Sequence, residues 1–248
     1  MIESIHRLIS GREARDKLAP TLSLCRGYLT LSEEGERPAT ALIPPQWLGE
    51  LGGVRISIND GSERPMQDGL QRLGKTSLGD VESLLVFNGL GALTFAASSW
   101  LRVGRGVFEM TWVATDPATD LMSGRPLDDL AVHGHLHYGY CRRLGLEMSP
   151  LSESKVHKSL LGTTSVRVNS AKQGWLSGRD DVKAGAIRGL YPVNYWSAEA
   201  LVEMKALGIV WPADLQVGVG LNRIDAAAQL LIESGNPALR RFIRFGST

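Results

Sequence analysis

Between Ser83 and Leu101 the chain runs for 19 residues without a charged side chain. A run of that length approaches what a helix needs to cross a bilayer, or it is buried as strands inside a protein. In a membrane span, Asn88, Thr94, Ser98 and Ser99 would lie in hydrocarbon, and Asn88-Gly89 is a strong two-residue hairpin signal. The stretch therefore predicts buried strands and no membrane span. Continued to Ala114, it reads as a meander: Leu84 to Phe87, the Asn-Gly turn, Leu90 to Ala97, Trp100 to Val103, the turn Gly104-Arg105-Gly106, and Val107 to Ala114. In the last segment Phe108, Met110, Trp112 and Ala114 share one face, and Val107, Glu109, Thr111 and Val113 share the other.

Upstream, Ile2, Ile5 and Ile9 recur at helical spacing before Gly11, which predicts a short N-terminal helix. Leu22, Leu24 and the run from Tyr28 to Leu31 read as strand, and Pro44-Pro45 mark a turn. Val54, Ile56 and Ile58 alternate with Arg55, Ser57 and Asn59, the pattern of a half-buried strand that ends at Asp60-Gly61. The second half turns helical. Pro126 to Leu144 carries Asp128 and Asp129 in its first turn, Arg142 and Arg143 in its last, and Gly145 as a stop, so its end charges suit a helix dipole. Thr163 to Asn169 reads as a strand. Ser197 caps a helix with Gly208 at its C′ position, Asn222 to Ser234 reads as helix, and Asn236-Pro237 starts a final short one. The expected fold class is α+β: a mostly antiparallel sheet packed against helices from the second half. One domain spans residues 1–248, strand-rich over 20–115 and helix-rich over 126–248.

Charge narrows the partners. With 27 Lys+Arg against 26 Asp+Glu the formal net charge is +1, so the composition supplies no basic face of the kind that displaces counterions from nucleic acid. Arg240, Arg241 and Arg244 alternate with Leu239, Phe242, Ile243 and Phe245, which reads as a terminal helix or tail docking its apolar side. Cys25 and Cys141 lie 116 positions apart with no CxxC spacing, so neither a zinc knuckle nor a redox dithiol is suggested and free buried thiols are expected. Glu3, Arg7, Arg12, Glu13 and Arg15 interrupt any signal-peptide apolar region, and the expected location is cytoplasmic.

Three motifs could carry function. Gly69 to Thr76 satisfies G-x-x-x-x-G-K-[ST], in which Lys75 would meet outer phosphates of a nucleotide and Thr76 a magnesium ion. The preceding strand ends about ten residues early, however, and a surface helix ending at Gly74 accounts for the same residues. His133, His135 and His137 fall within five residues, and neutral imidazoles ligate zinc, iron or nickel. On a strand all three would project from one face; on the helix expected over Pro126 to Leu144, His133 and His137 alone would share one. No G-x-S-x-G elbow is present, and Cys141 reads as core beside Arg142 and Arg143. Last, Tyr191, Tyr195 and Trp196 precede the capped helix and Trp211 comes after it; exposed Tyr and Trp are residues that anchor protein interfaces.

The segment Gly189-Leu190-Tyr191-Pro192-Val193-Asn194-Tyr195-Trp196-Ser197, with a short helix and a strand-like stretch after it, resembles the C-terminal part of bacterial immunity proteins that accompany polymorphic toxins and type VI effectors. The resemblance implies an α+β cytoplasmic protein without catalytic residues that neutralises a protein partner by surface complementarity. Tyr195, Trp196 and Trp211 are then the candidate contact residues. The alternative is a metal-dependent enzyme using His133, His135 and His137, and a weaker one is nucleotide binding at residues 69–76 through Lys75 and Thr76.

Overall fold

The computed structural model describes residues 21–31, 38–43, 54–59, 61–88, 96–104, 106–115, 121–145, 156–158, 164–166, 190–206, 208–209, 211 and 217–224. Its strands are β1 (Thr21–Thr30), β2 (Val54–Ile58), β3 (Arg64–Pro65), β4 (Ser83–Asn88), β5 (Ala96–Gly104), β6 (Val107–Thr115), β7 (His135–Gly145), β8 (Val156–Lys158), β9 (Thr164–Val166), β10 (Val193–Trp196) and β11 (Gly220–Arg223). The helices are α1 (Met66–Gly74), α2 (Arg125–His133) and α3 (Ala198–Ala206). Nine strands form one antiparallel sheet in the order β11-β10-β7-β1-β6-β5-β4-β2-β3, and β8 pairs with β9 separately. The α+β class expected from the sequence is what the chain adopts.

β1 lies in the sheet's interior, between β7 and β6, because it is apolar enough to lose water on both faces. Leu22, Leu24, Cys25, Tyr28 and Leu29 are all buried, as strands enclosed on two sides must be. On one face the core gathers Ile56, Val86, Trp100, Phe108, Met110, Trp112, Cys25 and Cys141 beneath α1 and α2. Two glycines admit α2. Gly27 and Gly139 are paired across β1 and β7, and a Cβ on Gly139 would lie 2.5 Å from Leu127 Cδ2 and one on Gly27 3.0 Å from Leu130 Cδ1. The missing side chains open the slot that these two leucines fill.

The uncharged run Ser83–Leu101 is divided between β4 and β5, and among the described residues no helix is long and apolar enough to cross a membrane. The Asn88-Gly89 hairpin is not two residues long. Phe87 pairs with Ala97, whereas a two-residue turn at 88–89 would pair it with residue 90; residues 89–95 lie outside the described residues, and Ala96, Ala97 and the segment Trp100 to Val103 belong to one strand, β5. Burial on the sheet supersedes the local turn signal.

The larger correction concerns Pro126 to Leu144. The helix with matched end charges stops at His133, and His135 to Gly145 is a strand paired to β1 on one side and β10 on the other. Gly134 is extended, and a Cβ there would lie 2.7 Å from the Thr30 carbonyl oxygen. Beyond it Leu136, Tyr138 and Tyr140 are buried, and β-prone aromatics with Gly139 between them favour the pleated conformation. The second half thus contributes β7, β10 and β11 to the same sheet as the first. Asn222 and Arg223 belong to β11 rather than to a helix. The helices expected over residues 2–11, 225–234 and beyond Pro237, the Pro44-Pro45 turn and the arginines at 240, 241 and 244 lie outside the described residues.

Candidate functional site

The elements that carry the candidate residues meet where β7 begins, β10 ends and α3 starts. Ser197 caps α3 as its sequence suggests, its hydroxyl accepting from the Ala200 N–H at 3.3 Å. Gly208 closes the helix at φ +69°, with Gly208 N–H donating to the Lys205 carbonyl and Ile209 N–H to the Met204 carbonyl. This is the paired bonding of a left-handed helix stop.

The histidines are placed by a bulge. Tyr28 pairs with Tyr138 but Leu29 pairs with Leu136, so His137 is the extra residue in β7. The His135 and His137 rings meet edge to face with centroids 4.5 Å apart, and His137 Nε2 lies 2.7 Å from Thr30 Oγ1. His135 Nε2 is 3.6 Å from Glu199 Oε2, both side chains being about half exposed. The Glu199 carboxyl is held below the usual carboxylate range by its own backbone N–H, by the Ser197 hydroxyl and by the two imidazoles, with desolvation opposing. His133 ends α2 and does not share the strand. Among the described residues no group of three or more His, Cys, Asp or Glu side chains is arranged to hold a metal ion. His135 and His137 stand together on β7, while the side chain of His133, at the end of α2, lies outside the described residues.

The aromatic candidates are separated by strand alternation. Tyr195 and Trp196 are consecutive on β10 and point to opposite faces, so they cannot share a contact patch. Trp196 is fully buried and packs on Trp211 with ring centroids 5.1 Å apart. It is a core residue, a correction to its proposed role at the surface. Tyr195 is half-buried against the α2 side of the sheet, and burial, then the charges of Asp128 and Glu199, push its hydroxyl pKa up.

The nucleotide-loop motif is also dismantled. A phosphate loop precedes a helix, whereas Gly69 lies inside α1 and Lys75 and Thr76 come after its end. Gly69 serves packing: a Cβ there would lie 2.6 Å from Ile56 Cβ. The Thr76 hydroxyl donates back to the Arg72 carbonyl at 2.9 Å, the ordinary closure of a helix that ends at Gly74.

Sequence reasoning missed a polar and aromatic layer on the sheet face opposite α1 and α2. Arg26 is fully buried; its Nε donates to Thr111 Oγ1 at 3.0 Å and lies 3.4 Å from Glu109 Oε1, to which the Thr111 hydroxyl donates at 3.3 Å. Beside it Tyr28 stacks on Tyr138, Tyr138 meets Tyr140, and Tyr140 stacks on Tyr191 at 4.0 Å. The Arg142 guanidinium sits 5.3 Å from the Tyr191 ring centroid. Asn194 clasps the Tyr191 backbone, accepting from its N–H and donating to its carbonyl. The register could have revealed this layer, since Arg26, Thr111 and Tyr140 face one another across three strands. Compared with protein-family models, curated proteins and solved structures, the chain gives no match.

Proposed function

We propose that this chain is a non-catalytic protein-binding protein of the immunity type, which neutralises a toxin or effector by covering part of its surface. The observation that carries the reading is the contrast between groups turned inward and groups turned outward. Arg26 and Glu109 pair inside the sheet, and His137 meets Thr30. At the surface, by contrast, stand Val132 (84% exposed), Val202 (68%) and Val219 (63%), on α2, on α3 and just before β11. In this reading the three valines belong to the surface that meets the partner; singly exposed apolar side chains are ordinary on a folded chain, and what supports the reading is that they stand on elements joined to one another. These elements belong together: Arg223 of β11 donates to the Met122 and Ser123 carbonyls ahead of α2, and α3 comes directly after β10, the partner of β11. The segment that resembles immunity proteins folds here as β10, α3 and β11. The reading places the chain in the cytoplasm with its two cysteines as free thiols.

The test is a surface variant that leaves the core alone. Val132→Asp/Val202→Asp should release a protein that co-purifies stoichiometrically with the unaltered chain, without lowering the unfolding midpoint, and should abolish rescue when that protein is toxic on co-expression. Retention of the partner by the double variant would remove the proposed surface.

A further inference from the structure

The two cysteines, 116 positions apart in the sequence, are directly opposed in the structure. Cys25 of β1 pairs with Cys141 of β7 in the antiparallel register, and both are fully buried in the core beneath α2. Opposed residues in such a pair have Cα atoms about 4.5–5.5 Å apart, inside the range a disulfide accepts, and their Cβ atoms need close by no more than roughly 1–2 Å. The two thiols already lie within hydrogen-bonding reach of one another.

We propose that Cys25 and Cys141 are a latent cross-strand disulfide site, which closes when the chain folds in the presence of a low-molecular-weight disulfide and is shielded once folding is complete. Shielding results from position. β1 is an interior strand of the sheet, flanked by β7 and β6, and burial pushes the Cys25 thiol up, so the thiolate that would attack an oxidant is scarce in the folded protein. During folding the thiols are accessible and the register brings them together. With glutathione disulfide as the oxidant, one cysteine thiolate attacks it, forming a mixed disulfide and releasing one glutathione thiolate. The second cysteine thiolate then attacks the protein sulfur of that mixed disulfide, forms the Sγ–Sγ bond and expels the other glutathione thiolate. Two cysteine thiols are oxidised and one glutathione disulfide is reduced to two thiols. The bond would tie the strand that joins the two halves of the sheet, and it does not depend on what the protein binds.

The experiment compares two routes to the same oxidant. Folded protein is incubated in a glutathione redox buffer, and in parallel the chain is refolded from denaturant, or synthesised cell-free, in that buffer; each is alkylated and mapped without reduction. The refolded or newly made chain should show a Cys25–Cys141 cross-link and an unfolding midpoint raised by roughly 10 °C, as closing a loop of this length implies. The folded protein should keep two thiols, alkylated only after denaturation, and Cys141→Ser should show no shift in midpoint. Two free thiols after folding under oxidant, glutathione retained on either cysteine, or intermolecular dimers would overturn the proposal. Equal oxidation of the already folded protein would overturn the shielding.

Discussion

Removing the carboxylate of Glu109 should destabilise the protein far more than a charge change on a strand usually does. Arg26 is fully buried and Glu109 nearly so, with Nε and Oε1 3.4 Å apart. At that distance and an effective dielectric of about 20, the attraction is about 5 kcal/mol. Glu109→Leu leaves the guanidinium inside the sheet facing a methyl group, and breaking a buried pair from one side typically costs about 3–5 kcal/mol, a large part of a normal folding free energy. Replacing both partners, as Arg26→Met with Glu109→Leu, removes both charges together and should return stability to within about 1–2 kcal/mol of the starting protein. Urea unfolding monitored by tryptophan fluorescence gives the four corners of the cycle at constant m-value. A loss below about 1 kcal/mol for Glu109→Leu would refute the reasoning, as would a double variant whose loss equals the sum of the two singles.

Three further outcomes rest on particular contacts. Gly139→Val should destabilise by about 1–3 kcal/mol in denaturant titrations, because its Cβ enters the space of Leu127, whereas Gly74→Ala, with nothing within 4 Å, should stay within about 0.5 kcal/mol. Glu199→Gln tests the corner of β7 and α3 by pH. The folded carboxyl titrates below its unfolded value, so its stabilisation is present above the usual carboxylate range and is lost as pH falls through the folded pKa. The difference between the unaltered protein and the variant should be at most about 1 kcal/mol at neutral pH, given the exposure of the pair, and should vanish in acid; a difference that grows in acid contradicts the assignment. Lys75→Ala should leave the unfolding midpoint unchanged with or without magnesium and ATP, since Lys75 stands after a helix rather than ahead of one; an ATP-dependent shift lost in the variant would restore the phosphate loop.

The parts legible in the sequence were those in which one strand or one cap carries the whole signal. The alternation of Val54 to Ile58 and of Val107 to Ala114 marked β2 and β6, Ser197 and Gly208 bounded α3, and Gly74 ended α1. The parts that were not legible depend on residues far apart in the chain. Asp128 and Arg142 suit opposite ends of one helix, yet Gly134 and the burial of Tyr138 and Tyr140 make the second half of that segment a strand. Glu109 and Thr111 are polar and would ordinarily face water, yet they are buried with Arg26 of β1, which lies opposite Thr111 and reaches diagonally to Glu109. Cys25 and Cys141 carry no spacing signal, and only the β1–β7 register brings them together. Two of the aromatic candidates part for a local reason: adjacent strand residues cannot share a face, so placing Tyr195 and Trp196 on β10 already divides them.

The measurement that bears most directly on the central claim is affinity purification of the tagged chain from its native host at endogenous level, with protein and metal content determined on the same eluate. The account expects one stoichiometric protein partner, lost from Val132→Asp/Val202→Asp, and no stoichiometric metal. A chain that elutes alone, carrying a metal ion that Ala substitution of His135 and His137 removes, would contradict it.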